Sequence, residues 1–154
     1  MERETSAPTD LRQRLREGVE LFNRGEYFEC HEVLEAAWLE AGGADKTFLQ
    51  GLIQVAVSFF HLRRGNFPGS SRLLRAGLDK LSQSGSQAGI ENLEVLLTTL
   101  RPLPERIAAG SVSPDWPAPV IEVRISSCSL LNLFARSMGF ILRPLSHRSN
   151  CHAC

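Results

Sequence analysis

Three features of the 154-residue sequence predict an all-α fold, a single-domain bundle of about five helices. Apolar residues recur at spacings of three and four in segment after segment, the signature of helices with one buried stripe. Clusters of Gly, Asn and Pro separate these segments at intervals that suit helical hairpins. No stretch before residue 120 shows the period-two alternation of a half-buried strand. The length suits one domain with a real core.

The polar stretch 1–8 reads as a disordered lead, and residues 9–123 as the bundle domain. Thr9 or Asp10 offers an N-cap to helix one, whose stripe is Leu11, Leu15, Val19 and Phe22. Asn23-Arg24-Gly25 is a turn. Helix two then runs from about Glu26 to Ala41, with Tyr27, His31, Leu34, Trp38 and Ala41 on one face, and Gly42-Gly43 stops it. Trp38 is expected in the core.

Helix three, from about Asp45 or Lys46 to Arg64, is the most apolar segment and should be central. Phe48, Leu49, Leu52, Ile53, Ala56, Phe59 and Phe60 cover much of its circumference, leaving Gln50, Gln54, Ser58 and His61 as a narrow polar stripe. Gly65 to Gly69 forms a tight turn, with Asn66 or Phe67 near the cap of helix four and Pro68 in its first turn. Leu73, Leu74, Gly77, Leu78 and Leu81 form the apolar face of helix four, and SQSGSQAG at 82–89 is a flexible connector. Gly51, Gly69 and Gly77 lower helix propensity and so point to close helix approach.

Helix five is expected to run through Ile90, Leu93, Leu96, Leu97 and Leu100 until Pro102 and Pro104 interrupt it, with one more turn through Ile107. Residues 113–119 are proline-rich and extended, and 120–125 alternate as a short strand or strap across the bundle. Residues 124–154 form a basic tail. A short amphipathic helix at 129–142 carries Leu130, Phe134, Met138 and Ile141, and the remainder is expected to be disordered.

Seventeen basic and seventeen acidic residues balance, so the composition does not favour nucleic acid or an anionic membrane as partner. Four arginines and no acid follow Glu122, so residues 1–122 are mildly acidic and the tail basic. Cys30, Cys128, Cys151 and Cys154 lack the spacing of a secreted disulfide scaffold, and the start of the chain lacks the apolar run of a signal peptide. No stretch is apolar for long enough to span a membrane. A cytoplasmic location is the expectation.

The chemistry concentrates in the stretch FNRGEYFECHEVLEAAW at 22–38. His31 and Glu35, four residues apart, are neighbours on the helix surface, with Glu32 on the flank. His31-Glu32-x-x-Glu35 resembles the HExxH helix of zinc hydrolases with glutamate in place of the second histidine, and His61 would be the third ligand. Without a metal, His31 is a core-edge histidine whose nitrogens are satisfied by Glu35 or Gln54. Between these readings lies a small polar pocket that binds a ligand, lined by Tyr27, His31, Glu35, Gln54, Ser58 and His61. Cys151, His152 and Cys154, with His147 nearby, form a single CxxC pair, a weak zinc signal on a flexible terminus.

The blocks FNRGEYFECHEVLEAAW, GLIQVAVSFFHLRRGN and PGSSRLLRAGLDKL resemble the domain of unknown function 309 family, small all-helical bundle proteins that are largely uncharacterised. Tyr27, Phe28, Glu29, His31, Glu32, Glu35 and Trp38 match the first block of that family, and Gly51, Gln54, Ala56, His61, Gly65 and Asn66 match the second. The resemblance covers roughly Leu11 to Val123 and implies a fold without an established activity. Residues from Arg124 onward depart from it.

The resulting expectation is an uncharacterised helical-bundle protein acting as a binding or interaction module centred on His31. Its partner would be a small molecule or a protein, with homo-oligomerisation open and no particular cofactor specified. The alternative is a metal-dependent hydrolase using His31, Glu35 and His61.

Overall fold

The computed structural model describes residues 8–84 and 89–124. Most of the expected lead, the middle of the 82–89 connector, the amphipathic segment 129–142 and the C-terminal Cys and His residues lie outside the described residues. All described residues belong to one compact unit that ends at Arg124.

The architecture is a helical bundle. In chain order the helices are α1 (Pro8–Asn23), α2 (Tyr27–Glu40), α3 (Gly43–Arg63), α4 (Phe67–Ser84), α5 (Leu93–Leu100) and α6 (Leu103–Ala108). The expected fifth helix is therefore two short ones divided at Pro102, whose ring and missing N–H oppose continuation of α5. Helix α1 begins at Pro8 rather than after a Thr9 or Asp10 cap, because the fixed φ of proline suits a first helical turn. Asn66 caps α4, its Oδ1 accepting from Gly69 N–H at 3.1 Å.

Helix α3 is central, packed between α2 and α4, while α1 lies on α2 and α6 on α4. Its buried face carries Phe48, Leu49, Leu52, Val55, Ala56, Phe59 and Leu62. Phe59 is almost wholly buried, and burial of such a side chain contributes about 2 to 3 kcal/mol. The rings of Phe22, Tyr27 and Phe59 meet at 5.3, 5.5 and 5.6 Å between centroids, joining the α1–α2 corner to α3. Where α3 meets α4 the backbones themselves touch. A Cβ on Gly77 would lie 2.9 Å from the carbonyl oxygen of Gly51, so that crossing tolerates no side chain at position 77.

The buried stripe of α2 is Tyr27, Cys30, Leu34 and Ala37. At about 100° per residue its centre lies roughly 80° round the helix from His31 and about 60° from Trp38. His31 and Trp38 therefore sit at its edge instead of in it. Trp38 is half-buried against the core with the Lys46 ammonium 4.5 Å from its ring centroid, and its indole N–H is buried without a hydrogen-bond partner.

After α6 the chain returns as the extended strap of residues 111–124. Trp116 stacks on Phe59 at 6.3 Å, which ties the proline-rich part to the core. Ile90, expected in a helix, instead forms an antiparallel bridge with Val123. Two bonds flank that bridge, from Glu91 N–H to the Glu122 carbonyl (2.7 Å) and from Arg124 N–H to the Gly89 carbonyl (2.8 Å). Successive peptide groups of an extended chain point to opposite edges, and the strap is held at both. On one edge the Asn23 side chain donates to the Ile121 carbonyl (2.8 Å) and accepts from Ile121 N–H (2.9 Å). On the other, Asn92 donates to the Val120 carbonyl and accepts from Glu122 N–H, both at 2.9 Å. Each amide does the work of a neighbouring strand for a segment that has only one bridge.

Candidate functional site

On α2, Phe28 and His31 are three residues apart and His31 and Glu35 four, so the three share a face beside the buried stripe. His31 Nε2 lies 3.3 Å from Glu35 Oε2, with the side chains 28% and 52% exposed. The expected partner Glu35 is thus found, while His31 is less buried than its place in the apolar pattern predicts. Phe28, 47% exposed, is a large ring held at the surface.

The facing edge of α3 supplies Phe60 and His61, and Arg64 follows as the C-cap of the helix. Ring centroids run from His31 to Phe28 at 5.8 Å, from Phe28 to Phe60 at 5.7 Å, and from Phe60 to its neighbour His61 at 6.0 Å. The Arg64 guanidinium lies 5.1 Å from the Phe60 centroid. His61 Nδ1 is 3.1 Å from the Asn66 side-chain nitrogen. The result is a partly exposed aromatic ridge across the α2–α3 seam, with an imidazole at each end and charge at its margin.

The other residues expected around His31 are directed elsewhere. Gln54 accepts from Lys80 Nζ at 3.1 Å and so faces α4. Ser58 is buried and donates to the Val55 carbonyl of its own helix at 2.6 Å. Tyr27 packs into the aromatic corner with Phe22 and Phe59. Among the described residues no group of three His, Cys, Asp or Glu could hold a metal ion, so His31, Glu35 and His61 do not form the site that the hydrolase alternative needs. The sequence reading missed Phe28 and Phe60 as parts of a surface. Phe28 next to Tyr27 and Phe60 next to Phe59 were the signal, since adjacent aromatics on a helix cannot both face one core.

A second feature lies at the α1–α2 turn. Arg24, Gly25 and Tyr27 from the turn, Arg63 from the end of α3, and Ala118 and Pro119 from the strap line an open cleft of about 150 Å³.

Cys30, behind the ridge, is almost wholly buried, and burial pushes its thiol up to about 12 against a smaller opposing effect of a backbone hydrogen bond with Phe22. A thiol that keeps its proton is a packing residue rather than a nucleophile.

Comparison with known proteins bears on this same region. Residues 15–73 match the model of a family described as Domain of unknown function (DUF309). They exclude most of the third block and the whole strap, a narrower range than Leu11 to Val123. The chain is 44% identical over 57 residues to the Uncharacterized protein YpuF of Bacillus subtilis (strain 168), an alignment that covers 36% of this chain and 33% of that protein. The match thus spans about a third of the length of that relative. Both arms of the aromatic ridge fall within residues 15–73, the segment over which this chain resembles the domain of unknown function 309 family.

Proposed function

We propose that this protein is a binding module that presents the ridge of His31, Phe28, Phe60 and His61 to a partner. One observation carries the reading: two phenylalanines in ring contact on adjacent helices, one of them 47% exposed, stand at a surface flanked by imidazoles. Aromatic side chains that are apolar in body yet bordered by polar groups suit recognition, where they bury area without many rotors to immobilise. His31, Glu35 and His61 act as the polar margin, while Tyr27 and Ser58 lie in the core and Gln54 faces α4. A cytoplasmic setting fits, since Cys30 is a free thiol. Among the described residues no helix is long and apolar enough to cross a membrane.

The test compares immobilised wild-type protein with Phe28→Ser and, as a remote control, Val95→Ser, another exposed apolar residue. Circular dichroism establishes that all three are folded, and sedimentation reports self-association. A partner, or a second copy, that is retained by wild type and Val95→Ser and lost by Phe28→Ser is the expected result. Retention of the same partners by Phe28→Ser would overturn the reading.

A further inference from the structure

The cleft at the α1–α2 turn has the chemistry of an anion site. We propose that it binds a small oxyanion, a carboxylate or phosphate group on a molecule of few heavy atoms, between the guanidinium groups of Arg63 and Arg24. The cleft is separate from the aromatic ridge, whose four residues do not line it, so the inference stands apart from the function proposed above.

Charge is the first ground. The lining includes two arginines and no carboxylate, although Arg24 Nε is engaged by Glu26 at the rim, at 3.0 Å. Arg63 is the more telling residue. Its guanidinium lies over the Tyr27 ring at 5.7 Å and has no ion pair among the described residues. A guanidinium carries a planar fork of N–H donors, the geometry that grips an oxyanion in bidentate fashion. Gly25, at φ +80°, is in a backbone conformation that favours glycine, and it lines the cleft without adding a side chain to it.

Tyr27 is the second and independent ground. It is only 5% exposed and lines the cleft, yet its hydroxyl bonds to none of the described residues. Unlike Trp38 Nε1 and Ser70 Oγ, this oxygen is not sealed from solvent, so it is available to donate to an acceptor in the cleft. An oxyanion held by Arg63 would supply an acceptor. The third ground is shape. The Asn23 amide holds Ile121 of the strap, and Ala118 and Pro119 of the same strap give the cleft an apolar part to its lining. A volume of about 150 Å³ admits something about the size of benzene. That favours a small carboxylate or phosphate with a short apolar body and excludes enclosure of a nucleotide.

The experiment is a titration of the full chain, labelled with ¹⁵N, with inorganic phosphate and separately with propanoate, at constant ionic strength maintained with chloride. Saturable shifts of the Gly25, Tyr27 and Val120 amides are expected with at least one of the two, and which one responds identifies the preferred group. Arg63→Gln should weaken binding about tenfold or more, as loss of a charge-assisted bond does, and Tyr27→Phe by a smaller factor. Arg63 is exposed, so its replacement should leave the fold intact; if it does not, Arg24→Gln provides the same comparison. Phe28→Ser should titrate like wild type, which keeps a failure here distinct from a failure of the ridge. Linear shifts with both anions, or unchanged affinity in a folded Arg63→Gln or Arg24→Gln protein, would overturn the proposal.

Discussion

The contact between α3 and α4 and the grip on the strap stabilise the same bundle by opposite means. At the first, two glycines let backbones touch and apolar side chains close around them, so the attraction is short-ranged and nondirectional. At the second, a segment with a single β-bridge is held by four directional bonds from two asparagine amides. The difference teaches how the fold makes a cleft. A strap held at discrete points can stand over a turn and wall off space beside it, as Ala118 and Pro119 do next to the α1–α2 turn.

Breaking the first contact should have the largest effect. Gly77→Leu forces a side chain against the Gly51 carbonyl oxygen, and denaturant unfolding should show a loss of about 3 kcal/mol, the upper end for overpacking. Breaking the second should do less. Asn23→Ala leaves the part-buried N–H and carbonyl of Ile121 without their partner, and about 2 kcal/mol is the expected cost in the same measurement. A value for Asn23→Ala equal to or above that for Gly77→Leu would reverse the ranking of directional and packed contacts.

Alkaline pH probes the packed region without a large change of shape. The Cys30 thiol is raised from 9.0 to about 12, so above pH 9 the unfolded chain releases a proton that the folded chain keeps. The stability from keeping this thiol neutral in the core is fully present below pH 9 and is lost as pH rises from there towards 12. The slope should reach about 1.4 kcal/mol per pH unit. Comparison with Cys30→Ala isolates it: that variant should be less steep over the same range, and equal slopes would show that the thiol is not the group responsible. The smallest effect belongs to the surface. Arg75 and Glu105 form an ion pair between two exposed side chains, and Glu105→Gln should change stability by less than about 0.5 kcal/mol.

The same contrast explains what was legible in the sequence. Helix periodicity located α1 to α4 and the central role of α3, because packed helices repeat their apolar residues every three or four positions. Gly51 and Gly77 stood out as helix-weakening residues and proved to be where α3 and α4 meet. The strap was visible only as a proline-rich, alternating segment. Nothing in the identity of Asn23, a residue that reads as a turn former, announces a bond to a residue 98 positions away. Ile90 was assigned to a helix for the same reason, since its bridge to Val123 depends on a partner remote in sequence.

The site was partly legible for a related reason. The pair His31 and Glu35 lies within one helix and follows from its geometry, whereas Gln54 and Ser58 depend on how α3 is rotated. Periodicity gives the spacing of a stripe, but which neighbour it meets is settled by packing. Arg63 and Tyr27 come together through tertiary structure alone, and only a run of adjacent aromatics hinted that some rings of α2 and α3 must face outward.

Amide hydrogen exchange at Ile121 tests most directly the claim that asparagine side chains take the place of a strand. In the wild-type protein the Ile121 amide should be protected, because its N–H is held by Asn23 Oδ1 at 2.9 Å. In Asn23→Ala that protection should collapse while the amides of α3 keep theirs. Exchange of Ile121 at the rate of an unstructured chain in the wild type, or unchanged protection in Asn23→Ala, would contradict the account.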